Sequence, residues 1–361
     1  MSTPATSSPP SQPQPARLPR GLVRTSDTAP GIVRQRRGKG FSYRLADGRA
    51  ITDAEDLPLI RRLAIPPAYR NVWICTRANG HLQATGLDAR GRKQYRYHTA
   101  WREGRDLEKF DSLADFAARL PRIRRHVARG LAERTHGRTA LLAAVVRLLD
   151  TTLGRIGNDQ YAKENGSYGL TTLCDRHVRL AGDRLELQFR GKSGVAHRLH
   201  VEDRRVARVV RRCLNLPGQA LFRYVDEAGA PHCIGSAEVN DYLKKVSGDD
   251  ISAKEFRTWH ASVMGLDTIV RALARSDAGF TLKRMLAEVS TALGNTPAVC
   301  RKSYVHPKVI ALATLAARDP EAARSLLTTC AGGARPTGLK QSERRLLAFL
   351  RCRAPLPAAA R

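Results

Sequence analysis

The 361-residue chain is short of acid, of paired cysteines and of long apolar runs. Only 33 Asp and Glu stand against 62 Lys and Arg, a formal net charge of +29. A surplus that large points to a polyanion, because each phosphate neutralised releases condensed counterions. A solvated basic surface explains the same surplus, so charge alone does not say what is done to the polyanion. Cys75, Cys174, Cys213, Cys233, Cys300, Cys330 and Cys352 are scattered and none forms C-x-x-C, which excludes a zinc ribbon and a redox pair. An odd, dispersed set suits a reducing cytosol better than a secreted disulfide scaffold. No apolar run approaches the ~20 residues of a membrane span, and the N-terminus lacks the apolar core of a signal peptide. A soluble cytoplasmic protein is expected. His177, His197, His200 and His260 are dispersed, with no paired carboxylates at ligand spacing, so neither a metal nor another cofactor is expected.

What is present divides into three parts. Apolar residues make up 42% of the chain, enough for a real core and two ordinary domains. Residues 1 to about 30 read as a disordered tail, with Pro4, Pro9, Pro10, Pro13, Pro15, Pro19 and Pro30 among Ser, Thr, Gln and Ala. Order is expected from Gly31. Over 31–105 the apolar period is about two: Phe41, Tyr43 and Leu45 alternate ahead of Asp47-Gly48, and Val72 to Cys75 reads as a buried strand. Asp88-Ala89-Arg90-Gly91 reads as a turn before Gln94-Tyr95-Arg96-Tyr97. This segment predicts a small β-rich domain. From 106 to 361 the period becomes helical, with Leu141, Leu142, Val145, Val146, Leu148, Leu149 and Leu153 forming the stripe of a core helix. One β element interrupts the helices: Val178 to Leu180, Leu185 to Phe189, and Val195 to Val201, with Lys192 at a hairpin tip in Gly191-Lys192-Ser193-Gly194. The chain closes on a basic stretch around Leu339 to Arg353, and no internal repeat is evident. The fold class is therefore α+β, a small β-rich domain followed by a larger, mainly helical one with a three-stranded β element.

Four segments carry the chemistry. The first runs Arg155-Ile156-Gly157-Asn158-Asp159-Gln160-Tyr161, continuing to Gly169-Leu170-Thr171-Thr172-Leu173. The second is Phe189-Arg190-Gly191-Lys192-Ser193-Gly194, the third Phe256-Arg257-Thr258-Trp259-His260, and the fourth runs from Gly294-Asn295-Thr296-Pro297 to Tyr304, nine residues beyond Asn295. Singly each is weak. Gly191-Lys192-Ser193 hints at a phosphate-binding loop, but the glycine that motif requires five residues earlier is Glu186. Taken together, in order and spacing, the segments resemble the catalytic domain of the poxvirus-type and bacterial type IB DNA topoisomerases. Gly91-Arg92-Lys93-Gln94-Tyr95-Arg96-Tyr97 extends the resemblance, which covers roughly 31–315.

The resemblance implies a bilobal clamp around duplex DNA, acting as a monomer at the nucleoid without ATP or an obligatory metal. It implies Tyr304 as nucleophile forming a 3′-phosphotyrosyl link, Arg155 and Arg257 as phosphate clamps, Lys192 as proton donor to the 5′-oxygen, and Gln94, Tyr95, Tyr97 and Tyr161 as DNA contacts. Asn295 stands where the viral pattern has histidine, so it can donate to the phosphate but cannot carry charge. Ser193 stands where the viral pattern has an acid. The chemistry is coherent without the family name. In-line attack on a phosphodiester needs a nucleophile, neutralisation of the non-bridging oxygens, and a proton for the leaving oxygen. Arginine binds phosphate bidentately, and lysine acts as a point donor.

Two alternatives remain at this stage. Tyrosine recombinases share the Arg, Lys, Arg and Tyr plan but usually carry His three residues before the second arginine, where this chain has Lys254. A non-catalytic DNA-binding protein on the same fold is the other, although all five reactive positions hold competent residues.

Overall fold

The structure, a computed structural model, describes residues 18–38, 40–52, 56–89, 91–133, 137–332 and 336–355. Its contacts divide the chain into two units, the first ending at Lys109 and the second beginning at Phe110.

The first unit is built on a five-stranded antiparallel sheet. Its strands are β1 (Ile32–Arg37), β2 (Gly40–Arg44), β3 (Arg70–Ile74), β4 (Leu82–Leu87) and β5 (Lys93–Tyr97), in the order β2-β1-β3-β4-β5. Helix α1 (Asp56–Arg62) interrupts the strands and α2 (Thr99–Asp111) follows them. Ile32, Ile60, Val72, Ile74 and Ala84 form its core. The alternating pattern around Tyr43 becomes a hairpin whose Asp47-Gly48 turn is closed by Gly48 N donating to Leu45 O at 3.0 Å. The Asp88 turn is closed by Gly91 N to Asp88 O at 2.9 Å; Arg90 lies outside the described residues.

The expected tail is corrected in part. Residues 1–17 lie outside the described residues, but 18–30 are bound to the sheet. Val23 bridges Gly80, Thr25 Oγ1 donates to Leu82 O at 3.0 Å, and Trp73 Nε1 donates to Ala29 O at 2.9 Å. Asp27 accepts from Thr85 Oγ1 at 2.9 Å and pairs with Lys93 at 2.5 Å. Composition reads apolar burial, and this stretch is held by polar bonds instead.

The second unit is mainly helical. In chain order it comprises α3 (Leu113–Gly130), α4 (Arg138–Thr152) and α5 (Asp159–Asn165), then the antiparallel strands β6 (Val178–Ala181), β7 (Arg184–Arg190) and β8 (Ala196–Glu202). Next come α6 (Arg204–Leu214), β9 (Arg223–Val225), β10 (Pro231–Cys233), α7 (Ser236–Ser247) and α8 (Ala253–Ala274). The chain continues through α9 (Leu282–Leu293), α10 (Pro297–Ser303), α11 (Pro307–Arg318), α12 (Pro320–Thr329) and α13 (Gln341–Arg351). The hydrophobic stripe at 141–153 is α4, buried along nearly its whole length. The β9–β10 hairpin was not expected, because three-residue strands are too short to show alternation.

Helix α8 is the axis of this unit and packs against α3, α4, α7, α9, α11 and α13. A capping box starts it: Ser252 accepts from Lys254 N while Glu255 Oε2 accepts from Ser252 N at 2.9 Å. Phe256 and Trp259 are fully buried on it, with Phe116 of α3 edge-on to Phe256 at 5.1 Å. Each such side chain contributes about 2–3 kcal/mol by leaving water.

Two features join distant segments in ways that spacing does not reveal. Cys330 and Cys352 form a disulfide with Cα atoms 5.3 Å apart, contrary to the expectation drawn from the dispersed cysteines. They are 22 residues apart in sequence, Cys330 directly after α12 and Cys352 directly after α13. The second is a buried charge cluster. Arg124 of α3 donates to Asp150 of α4 at 2.8 and 2.9 Å and to Glu343 of α13 at 2.8 and 2.7 Å. From α8, Trp259 Nε1 donates to Glu343 at 3.4 Å and His260 Nε2 lies 3.0 Å from Asp150. Asp150, His260 and Glu343 offer ligand-type atoms within 4.8 Å of one another, but Arg124 already engages both carboxylates.

Burial alone would raise both carboxyls. The bonds from His260 and Arg124 outweigh it at Asp150, and those from Arg124 and the Lys340 backbone outweigh it at Glu343, so both are held below the usual range. With folded pKa values depressed, their stabilisation is present above the unfolded carboxylate pKa of about 4 and lost progressively as pH falls below it through the lower folded values. Replacing Glu343 with Ala removes one of the two carboxylates facing a buried guanidinium, and is expected to destabilise the unit by about 3 kcal/mol at neutral pH. The parent should also lose stability more steeply than E343A on acidification below about pH 4. Urea unfolding at several pH values measures both, and parallel pH profiles for the two proteins would show that the cluster contributes nothing.

Candidate active site

Of the four sequence segments, the first and the fourth begin where a helix ends, the second turns a hairpin and the third opens α8, and all four lie in the second unit. Arg155 follows α4, whose last turn is closed by Leu153 in the left-handed region at φ 59°. Its backbone is laid against the second half of its own motif. Leu170 N donates to Arg155 O at 2.8 Å and Thr171 N to Ile156 O at 2.7 Å. Gly157 and Gly169 touch so closely that a Cβ on Gly169 would stand 2.5 Å from Gly157 Cα. That contact explains why the segments around 155 and 169 occur together.

Arg257 projects from the first turns of α8 and is only 4% exposed. Its Nη1 donates to Leu153 O at the end of α4, and its Nη2 donates to Leu293 O at the end of α9 at 2.8 Å. Carbonyls at a helix C-terminus lack intrahelical partners and carry partial negative charge, so they suit a buried cation. Gly294 ends α9 at φ 58°, and Asn295 N returns to Ser290 O at 3.0 Å. Thr296 then caps α10, with Pro297 in its first turn. Tyr304 closes α10, its carbonyl accepting from Ser262 Oγ of α8 at 3.3 Å, and that hydroxyl in turn accepts from His306 N at 2.9 Å. Arg257 and the anchor for Tyr304 therefore ride on one helix.

The side chains of Arg155, Arg257, Asn295 and Tyr304 converge. Arg155 Nη2 donates to Asn295 Oδ1, which orients the amide so that its Nδ2 is left as a donor. The Arg257 guanidinium carbon lies 5.1 Å from the centre of the Tyr304 ring. Burial by itself would raise the Tyr304 phenol, but the Arg257 charge and hydrogen bond, with Arg155 and Lys254, bring it below its ordinary value. Burial, followed by the Arg155 charge, lowers Arg257. Two guanidinium groups thus share a partly buried site, and the hydrogen bonds described for them go to an amide oxygen and two backbone carbonyls rather than to a carboxylate.

Among the described residues, Arg155 Nη1, Arg257 Nε and Asn295 Nδ2 are buried with no oxygen or nitrogen acceptor. The Asn295 amide has the Cys300 thiol beside it, a weak acceptor. A buried donor without a partner costs about 1–3 kcal/mol. Three of them around one phenol describe a site built for an oxyanion.

Lys192 is exposed on the turn between β7 and β8, where Ser193 and Gly194 take φ values of 63° and 75°. Gly191 N donates to Val195 O at 2.8 Å and closes that turn. In the first unit, Tyr95 and Tyr97 share one face of β5, with rings stacked 6.1 Å apart and exposures of 49% and 37%. Gln94 lies on the other face and donates to Asp88 at 3.1 Å, away from the tyrosine pair. Tyr161 is exposed on α5, whose first turn is capped by Asn158. Sequence reasoning missed Ser262, the carbonyls of Leu153 and Leu293, and His197. The signal available for the carbonyls was the glycine or turn that ends each helix beside an essential residue.

A family model described as "Eukaryotic DNA topoisomerase I, catalytic core" matches residues 98–323, and one described as "Bacterial DNA topoisomerase IB, N-terminal domain" matches residues 40–88. The DNA topoisomerase 1B of Acanthamoeba polyphaga mimivirus is 30% identical over 285 residues, covering 76% of this chain and 85% of the viral protein. The DNA topoisomerase I of Monkeypox virus is 23% identical over 286 residues, covering 73% of this chain and 87% of its own length. The DNA topoisomerase 1B of Vaccinia virus (strain Copenhagen) shows the same identity and coverage. With matched segments that place a tyrosine under a buried arginine and beside a second one, the chain belongs to the type IB DNA topoisomerases.

Proposed function

We propose that Tyr304 Oη attacks a backbone phosphorus of duplex DNA, forming a 3′-phosphotyrosyl bond as the P–O5′ bond breaks. Arg155 and Arg257 receive the non-bridging oxygens, and Asn295 Nδ2 donates to one of them. The Lys192 ammonium gives its proton to the departing 5′-oxygen, and the phenolic proton leaves to solvent. Rotation of the free 5′-hydroxyl end releases torsional strain. Religation runs the same path backwards, with the 5′-hydroxyl attacking phosphorus, its proton returning to the Lys192 amine, and Tyr304 leaving. The phosphodiester energy is kept in the tyrosyl bond, so no ATP is required.

The observation that carries this reading is the set of buried, acceptor-free N–H groups of Arg155, Arg257 and Asn295 around a phenol lowered below its ordinary pKa. Preorganised donors of this kind stabilise charge as it develops on phosphoryl oxygens. The recombinase alternative loses support at Lys254, which bears on the Tyr304 phenol as a cation where recombinases carry histidine. Exposed Tyr95, Tyr97 and Tyr161 are proposed contacts to the duplex, and monomeric action at the nucleoid is part of the same proposal. Gln94 is the weakest of the four proposed contacts, because its amide is already bonded to Asp88.

Negatively supercoiled plasmid incubated with the protein in EDTA, without ATP, is expected to relax, and Tyr304→Phe is expected to leave it supercoiled. Tight binding without relaxation by the parent would rule out the enzymatic reading. Single-turnover cleavage by Arg155→Ala or Arg257→Ala should be slower by about 10²-fold or more, as for loss of one preorganised charge stabiliser; near-parental cleavage by either variant removes that residue from the phosphate site. The net charge of +29 predicts that DNA affinity falls by about 10³-fold or more between 50 and 200 mM salt. A flat salt response in a filter-binding titration would contradict phosphate-dominated binding.

A further inference from the structure

Lys192 has to reach the leaving oxygen, yet among the described residues no hydrogen bond or ion pair holds its side chain. Its place is set by the turn that carries it. That turn is the free end of the β7–β8 ribbon, and the question is what fixes it against the phosphate-binding cluster.

His197, the second residue of β8, lies at that junction. A Cβ on Gly191, the residue before Lys192, would stand 2.6 Å from His197 Cδ2 and 2.7 Å from Nε2. A Cβ on Gly294, the residue before Asn295, would stand 2.5 Å from His197 Cε1. The imidazole is therefore wedged between two bare Cα atoms, one leading into the proposed proton donor and the other into a phosphate donor. Its opposite side is fixed by stacking on Phe189, with ring centres 5.2 Å apart at 22°. The ring also borders a cavity of about 480 Å³ lined by Tyr168, His177, Arg190 and Arg198.

We propose that His197 is the positioning residue that locks the Lys192 turn to the Asn295 loop, so that proton donor and phosphate clamp keep one geometry. The proposal deepens the catalytic reading and rests on Lys192 as general acid. The burial of the ring, with the nearby Arg155 and Arg257 charges, lowers its pKa, so the imidazole is neutral at physiological pH and acts by its shape. A second tether exists, Tyr168 N donating to Arg190 O at 2.8 Å at the end of β7, but it lies before the turn and does not touch the Asn295 loop.

The experiment compares single-turnover cleavage of an ordinary DNA duplex with that of a duplex carrying a 5′-bridging sulfur at the scissile phosphate. A thiolate leaves without taking a proton, so a defect in proton delivery disappears with sulfur, whereas a defect in phosphate clamping or folding persists. Full-length His197→Ala, His197→Phe and Lys192→Ala are assayed together with thermal unfolding. H197A is expected to slow ordinary cleavage on the order of 10- to 100-fold, as for an ångström-scale misplacement, and to recover most of that loss on the sulfur substrate, as K192A should. H197F keeps ring bulk and the Phe189 stack, so it is expected to stay within about threefold of the parent on the ordinary duplex. If H197A is equally slow on both duplexes while K192A is rescued, the positioning role is overturned and the Lys192 assignment stands. If K192A itself is not rescued, the general-acid assignment falls and the positioning role falls with it. Should the alanine chain fail to fold, H197F decides alone: slow cleavage on both duplexes overturns the proposal.

Discussion

Arg257 is the interaction on which the rest of the site depends. A guanidinium that is 4% exposed has to be compensated, and no carboxylate does so in the bonds it makes. Its partners are the terminal carbonyls of α4 and α9, groups that helix geometry leaves unpaired. One side chain thereby satisfies two helix ends and fixes them relative to each other. Those ends are the points from which Arg155 and Asn295 depart. The same guanidinium lies over Tyr304, so Tyr304, both arginines and the Asn295 amide are referenced to a single buried charge.

This arrangement explains why the site is costly before it binds anything. Arg155 and Arg257 repel one another, and three N–H groups are buried without acceptors. A phosphate diester supplies one negative charge and two acceptor oxygens to that place. In the proposed mechanism, desolvation and repulsion already present in the free protein make charge stabilisation at the phosphoryl group more favourable, with no reorganisation at the moment of attack. The same field acts on Tyr304, where the arginines outweigh burial and lower the phenol.

The helices that carry these residues are held from behind. Arg124 joins Asp150 on α4 to Glu343 on α13, and Trp259 and His260 on α8 face the same cluster. Residue 343 lies beyond 98–323, the span matched by the family model for the catalytic core. Lys308 Nζ donates to the carbonyls of Leu350 and Cys352 at 2.9 and 3.1 Å, and the Cys330–Cys352 disulfide closes the same corner. The basic C-terminal stretch is thus a structural part of the second unit, bonded to the helix that follows Tyr304.

What the sequence by itself determined is local. A short apolar run at 72–75 marked the strand at 70–74, period-two alternation marked the one at 184–190, a helical stripe marked α4, and Gly191 to Gly194 marked the turn that presents Lys192. These patterns are legible because they follow from backbone geometry over a few residues. The proposed site residues Arg155, Lys192, Arg257, Asn295 and Tyr304 stand out in the sequence for a different reason, as ordered motifs of the residue types that the proposed chemistry demands. Tertiary structure decided everything that depends on distance between motifs. Only the fold shows that Arg257 caps α4 and α9, that Gln94 turns away from Tyr95 and Tyr97, that residues 18–30 are bound to the sheet, and that cysteines 22 residues apart meet. His197 is the clearest case. It looks like any strand histidine in the chain, and its role emerges only because two glycines from separate segments leave room for one ring.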